Sequence, residues 1–289
     1  MMAGIIRAKH LYSGVSSLYY SHEGCQNPPR DWTITLEIEL WQYAVVFLLI
    51  GFSGFIDSIA GGGGLISVPT YLALGMPAEL ILGTNKCVSS TGATFAVFRY
   101  IRSRTIIWST VIYSIVAALI GSAIGASLSS YLSRSLIFTL LLIVIPVLFY
   151  LQARQMPSLS LRPELSRQKV IFRAILAGFL LGGYDGIFGP GTGTFLLLAF
   201  MLFLHMGARE ASANGRIVNY ASNVSAFIYF LIQGRIFWPV AVVAVFASII
   251  GNWLGSGMVI NNADRVVVPV FRFVLLLLML KCGYDLFFI

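Results

Sequence analysis

Charge is scarce in this chain. Asp, Glu, Lys and Arg together make up 10% of its 289 residues, whereas 58% are apolar. A soluble domain carries roughly 25% charged residues. So little charge cannot coat a water-facing surface, and the mean hydropathy is +0.86. A soluble globular protein is therefore excluded, and lipid must be the solvent. Cysteine is scarce too. Cys25, Cys87 and Cys282 are few, scattered and odd in number, which excludes a secreted disulfide scaffold. His10, His22 and His205 sit near no second ligand, so no metal is expected. Gly-x-x-x-x-Gly-Lys-Ser/Thr is missing, so ATP is not the direct energy source and no cofactor is expected. The net charge of +8 does not indicate nucleic acid. Its basic residues fall mostly in loops between apolar segments, where positive charge sets membrane orientation.

What is present is a nearly continuous series of membrane segments. Residues 1–39 are polar and aperiodic, contain no signal-peptide core, and read as a flexible tail. Beyond them, apolar segments fall at 40–60, 80–101, 106–130, 134–153, 169–188, 209–233, 237–260 and 265–288. Each approaches the ~20 residues that span hydrocarbon. Two shorter pieces, 65–76 and 194–206, reach only about 20 Å against a ~30 Å core and follow glycine-rich breaks, as half-helices or re-entrant segments would, which leaves open whether they cross. With eight crossings, the 15 loop Lys and Arg divide 12 to 3 across the membrane, and with ten they divide 10 to 5. The positive-inside rule favours eight, both termini cytoplasmic.

The halves resemble each other. At an offset of 128, Gly54, Asp57, Ile59, Gly61 and Gly63 meet Gly182, Asp185, Ile187, Gly189 and Gly191. At an offset of 130, Lys86 meets Arg216, the run from Thr105 to Trp108 meets that from Arg235 to Trp238, and Gly121/Gly125 meets Gly251/Gly255. This predicts an all-α polytopic membrane protein of two repeated helical units, 40–153 and 169–289, joined by a linker at 154–168. The paired glycine stripes predict close helix packing within the chain.

Two constellations carry the chemistry. The first is the glycine break after Asp57, which holds Gly63 and Gly64, and its mate after Asp185, which holds Gly191 and Thr192. Consecutive glycines, and Pro190, are costly inside a membrane helix and survive where protein or a water-filled cavity satisfies the backbone. Such breaks expose half-helix N-termini that attract anions. Asp57 and Asp185 either cap these turns or carry a coupling proton. The second constellation is Asn85, Lys86 and Ser89, with Arg216, Asn219 and Asn223 as its mate. Two cations ringed by amides and hydroxyls make an oxyanion site. The competing readings are snorkelling to the interface and pairing with Asp57 and Asp185; pairing and anion binding are compatible. Trp41, Trp108, Trp238 and Trp253 suit interface belts, and Arg99, Arg102 and Arg104 suit loop anchors.

The run from Gly54 to Lys86, the following Phe98-Arg99-Tyr100, and the run from Gly182 to Phe195 resemble the sulfite exporter TauE/SafE family, also called the toluene-sulfonate uptake permease family. The resemblance covers residues 40–289. It implies a bacterial inner-membrane transporter of small sulfur-containing anions such as sulfite, sulfonates and sulfoacetate. Asn85 and Lys86 fill the first-half Asn-Lys of the family pattern. In the second half, Gly215-Arg216 stands where Thr-Lys is common, and Asn219 is retained. Arg216 adds a planar fork suited to two oxyanion oxygens, which bears on the choice of anion.

Together these readings predict a secondary transporter, not an enzyme, working by alternating access between two repeats and driven by an ion gradient, a proton being the expected coupling ion. Its partners are a small anion and membrane lipid; a homo-oligomer is compatible. The alternatives are a passive anion channel and an intramembrane aspartyl protease. The protease would use Asp57 and Asp185, but its Gly-x-Gly-Asp signature fails at Ile56.

Overall fold

A computed structural model describes residues 38–129 and 166–288. The expected tail over 1–37, the apolar segment 134–153 and most of the expected linker lie outside the described residues. The described chain is helical: α1 (Leu40–Ala60), α2 (Gly64–Ala73), α3 (Ala78–Arg102), α4 (Trp108–Ser129), α5 (Arg167–Ile187), α6 (Thr192–Leu202), α7 (Ala208–Ile232) and α8 (Trp238–Phe288). α8 breaks its helical backbone at Asn262, so the segments read as 237–260 and 265–288 meet at a kink.

Among the described residues, four helices are long and apolar enough to cross a membrane: α1, α4, α5 and the Trp238–Ala263 part of α8. This is fewer than the sequence expectation of eight. α3 and α7 have 25 residues each, ample length at ~1.5 Å per residue. Their hydropathy is lowered by the polar side chains they turn inward, including Thr84, Asn85, Lys86 and Ser90 on α3 and Asn214, Arg216, Asn219 and Asn223 on α7. α2 and α6 are short apolar helices, as expected for the pieces at 65–76 and 194–206. α6 is buried along Thr192–Met201. Apolar side chains such as Leu48, Phe52, Ile120, Leu180, Phe246 and Leu254 face outward from the longer helices. Trp41, Trp108, Trp238 and Trp253 are all exposed, as belt residues should be. Arg99 stacks on Trp253 at 4.5 Å and so ties α3 to α8.

The breaks between α1 and α2 and between α5 and α6 are built on glycines in the left-handed region: Gly61 at φ +71° and Gly62 at +93°, then Gly189 at +92° and Gly191 at +88°. The two breaks touch. A methyl group on Gly61 would collide with the backbone of Gly193 and Thr194, and one on Gly193 would strike Gly61. The Thr194 hydroxyl fastens the crossing by donating to the Ala60 carbonyl at 3.0 Å.

Long helices pack across the chain. α1 lies against α8, and α4 lies against α5. The small-residue stripes make these contacts: Gly121 and Gly125 face the carbonyls of Phe179 and Gly183, and Gly251 and Gly255 face those of Gly51 and Phe55. The stripes therefore pack within the chain, as the sequence predicts. Two side-chain clasps add to this. Asn214 on α7 accepts from the Ile107 N–H before α4 at 2.8 Å. Thr84 on α3 accepts from the Phe237 N–H before α8 at 2.9 Å.

Candidate functional site

The glycine crossing leaves a small polar cavity at its side. Its walls include Asn85, Lys86 and Ser89 from α3, Asn219 and Asn223 from α7, Gly64, Gly191 and Thr192 at the starts of α2 and α6, and both Asp57 and Asp185. Of the site residues expected from sequence, the structure brings all but two to this one cavity. Arg216 and Gly63 are the exceptions. Arg216 lines a second small cavity with Asp57, Ser58, Gly61, Gly193 and Ser212. Gly63 lies behind Asp57 and donates its N–H to Oδ1 at 3.1 Å.

Four charged side chains meet here, and they pair crosswise. Lys86 Nζ lies 2.7 Å from Asp185 Oδ1, and Arg216 Nη1 lies 2.5 Å from Asp57 Oδ2. Lys86 is 1% exposed and Arg216 is 3% exposed. Neither cation snorkels: α3 and α7 carry them into the protein, where a lone charge would be prohibitive and a paired one is tolerated. Pairing of the cations with the two aspartates, left open by the sequence, is therefore what the fold contains. The two aspartates each face a cation rather than sharing a proton with one another, as a protease dyad would require.

The pairs differ in their surroundings. Asp57 caps the turn that leads into α2 through Gly63, the structural role read from sequence. Asp185 makes no such cap; the Ser222 hydroxyl donates to its Oδ2 at 2.7 Å. Arg216 spreads its planar fork, with Nη2 donating to Asn252 Oδ1 at 2.7 Å and Nη1 also reaching Asn219 Oδ1 at 3.3 Å. Asn252 escaped the sequence reading; a polar residue inside the Gly251/Gly255 stripe was its signal. Ser222 and Ser67 were missed as well, being serines of a kind common in membrane helices.

Two of the three cavity amides, Asn85 and Asn219, are oriented through their oxygens by neighbours. Asn85 Oδ1 accepts from the Ser67 hydroxyl at 2.5 Å, and Asn219 Oδ1 accepts from Arg216. With both oxygens engaged, the amide N–H₂ groups are the polar ends left for the cavity. Lys86 spends one N–H on Asp185 and has two more to give. The starts of α2 and α6 add helix N-terminal polarity. These groups are hydrogen-bond donors, and donors gathered around a cation bind oxyanions; the carboxylates of Asp57 and Asp185, walls of the same cavity, are each held by a cation. The cavity has room for about one water, so a larger anion enters only if the walls separate. Among the described residues no cluster of His, Cys, Asp and Glu is arranged to hold a metal ion.

The chain is similar to known membrane transporters. The family described as "Sulfite exporter TauE/SafE" matches residues 46–282. A "Probable membrane transporter protein" of Haemophilus influenzae is 32% identical over 255 residues, covering 86% of this chain and 98% of its own. The "Probable membrane transporter protein YfcA" of Escherichia coli K12 is 32% identical over 245 residues, covering 83% of this chain and 89% of its own. "Probable membrane transporter protein YunE" of Bacillus subtilis is 23% identical over 272 residues, covering 83% and 97%. No solved structure matches the chain. With most of its length matched and its apolar helices enclosing a polar centre, the chain is a multi-pass membrane transporter of the sulfite exporter TauE/SafE family.

Proposed function

We propose that this transporter moves small sulfur-containing oxyanions, sulfite or organosulfonates, across the bacterial inner membrane by alternating access at the cavity beside Lys86. The observation that carries the reading is the cluster of donors around that lysine, the N–H₂ groups of Asn85 and Asn219 and the starts of two helices, in a cavity whose two carboxylates, Asp57 and Asp185, are each held by a cation. The family match and this lining support the substrate class. The closed size of the cavity supports a mechanism in which its walls move apart.

The walls come from two repeated units in this reading. Both runs of helices follow the order long, short, long, long. Three sets of contacts cross between them in matching positions: Lys86 to Asp185 and Arg216 to Asp57, Ile107 to Asn214 and Phe237 to Thr84, and the two glycine stripes. A site between repeats that rock against each other is how many secondary transporters work. The two ion pairs cross that boundary, so rocking must strain or exchange them.

The test is flux of labelled sulfite, sulfate, thiosulfate, taurine, sulfoacetate and a carboxylate into proteoliposomes, with and without a pH gradient. Saturable, gradient-driven movement of one sulfur anion is expected. Non-saturable conduction would make the protein a passive anion channel, and movement of none of these anions would overturn the substrate class.

A further inference from the structure

The second cavity has no part in anion binding as described, yet it contains a buried donor without an acceptor. Arg216 Nε is fully enclosed and unpartnered, although Nη1 and Nη2 are both engaged. Nε belongs to a side chain lining a cavity whose other walls are Asp57, Ser58, Ile59, Ala60, Gly61, Gly193, Leu197 and Ser212. Two backbone carbonyls of that wall are already occupied. Ser212 Oγ donates to Ile59 at 2.6 Å, and Thr194 Oγ1 donates to Ala60 at 3.0 Å. An orphaned buried N–H requires an acceptor. The cavity is about one water in size, and a water there would accept from Nε beside the Asp57 carboxyl.

Asp57 is the carboxyl that lines both cavities. Its Oδ1 is held by Gly63 and its Oδ2 by Arg216. We infer that Asp57 is the proton-binding site of the transporter, served by water in the Arg216–Ser212 cavity, while the anion occupies the Lys86 cavity. This rests on the proposed anion transport. A proton arriving as hydronium ends on Oδ2 and leaves water behind. The ion pair then becomes a neutral acid beside a guanidinium. Arg216 keeps its bonds to Asn252 and Asn219, and Asn219 is a wall of the anion cavity. The positive charge released by protonation is thus passed to the anion's side. Proton uptake strengthens anion binding, and by linkage the anion strengthens proton uptake by the same factor. A proton and an anion therefore travel together.

Among the described residues, the charged and titratable groups around Asp57 are few. Arg216 faces it from α7, Lys86 from α3 acts on it electrostatically, and Asp185 on α5 lies behind Lys86. Tyr100 on α3 donates to the carbonyl of the adjacent Ser58 at 2.7 Å. α8 contributes the neutral Asn252. The asymmetry with Asp185 is what singles Asp57 out, since Asp185 is absent from the second cavity.

Infrared difference spectroscopy of the lipid-reconstituted protein tests this without a transport assay. On acidification, the wild-type difference spectrum is expected to hold a neutral carboxylic-acid carbonyl component that is missing from Asp57→Asn, the other carboxyls contributing equally to both. Ser212→Val fills the second cavity away from the anion site and is expected to move the midpoint of the band's titration by about tenfold or more in proton concentration, within the range of ordinary coupling. Carboxylic-acid difference bands that are identical in the wild type and Asp57→Asn overturn the assignment. If Asp57→Asn does not fold, an unchanged titration in Ser212→Val overturns it instead. Added sulfite should raise the band at fixed pH. A band that titrates and obeys both variants but ignores sulfite would uphold the proton site and count against the anion reading.

Discussion

Lys86 Nζ and Asp185 Oδ1 lie 2.7 Å apart, although one residue is on α3 and the other on α5. Their side chains are 2% and 1% exposed. Cutting such a buried pair on one side leaves an uncompensated charge, which costs about 3–5 kcal/mol in soluble proteins. Lys86→Met should therefore lower the unfolding midpoint sharply. The double variant Lys86→Met/Asp185→Asn removes both charges and should recover most of that loss. Neither variant should move anions, because the cavity has lost its cation. Thermal unfolding in detergent, alongside flux, checks both halves. Transport by the double variant would show that Lys86 is structural.

Arg216 tests geometry rather than charge. Arg216→Lys keeps the cation but cannot reach Asp57, Asn252 and Asn219 together, as the planar fork does. A hydrogen bond to a charged group is worth about 1.5–3 kcal/mol, and ~1.4 kcal/mol is a factor of ten. Initial uptake rates in Arg216→Lys should fall roughly tenfold to a hundredfold. Wild-type rates would mean that the fork is dispensable.

The sign of the cargo is tested at Asn85. Asn85→Ala removes one donor and should weaken anion binding by about tenfold, the value of one lost hydrogen bond. Asn85→Asp still accepts from Ser67 but presents negative charge to the cavity. It should weaken binding well beyond the alanine variant. Competition between sulfite and other anions in equilibrium binding would show the order, and an Asp variant that binds better than Ala would exclude an anionic cargo.

The glycine crossing predicts a contrast between two substitutions. Gly61 and Gly75 both have positive φ, +71° and +77°. Gly75 has open space around it, whereas a methyl on Gly61 would enter the backbone of Gly193. Gly75→Ala should cost only the left-handed strain of about 1–2 kcal/mol. Gly61→Ala should add an overpacking cost of about 1–3 kcal/mol or more and lose the monodisperse folded peak on size-exclusion chromatography. Equal behaviour of the two would mean that the breaks do not touch.

Much of the site was legible because its signals are local. A lysine, an arginine and several amides inside apolar helices are anomalies that only function or pairing explains, and consecutive glycines mark a broken helix. The spacing of Asn85, Lys86 and Ser89 on one helix already places them near one another. What escaped was the partner on another helix. Asn252 and Ser222 are ordinary residues until Arg216 and Asp185 point at them. The equivalence assumed for Lys86 and Arg216 also proved too simple, since only Lys86 lines the donor-rich cavity.

By itself, the sequence determined the solvent and the materials. With 10% charge, this chain folds in lipid; its glycine runs break two helices; its small-residue stripes permit close packing. Tertiary structure alone decided which charge meets which. Pairing of Lys86 with Asp185 and of Arg216 with Asp57 depends on α3 and α7 being carried past α5 and α1, a matter of helix packing that no local pattern encodes. The reason is physical. Burial and backbone propensity act residue by residue, whereas an ion pair in a low-dielectric core exists only when two distant segments bring their charges within a few ångströms.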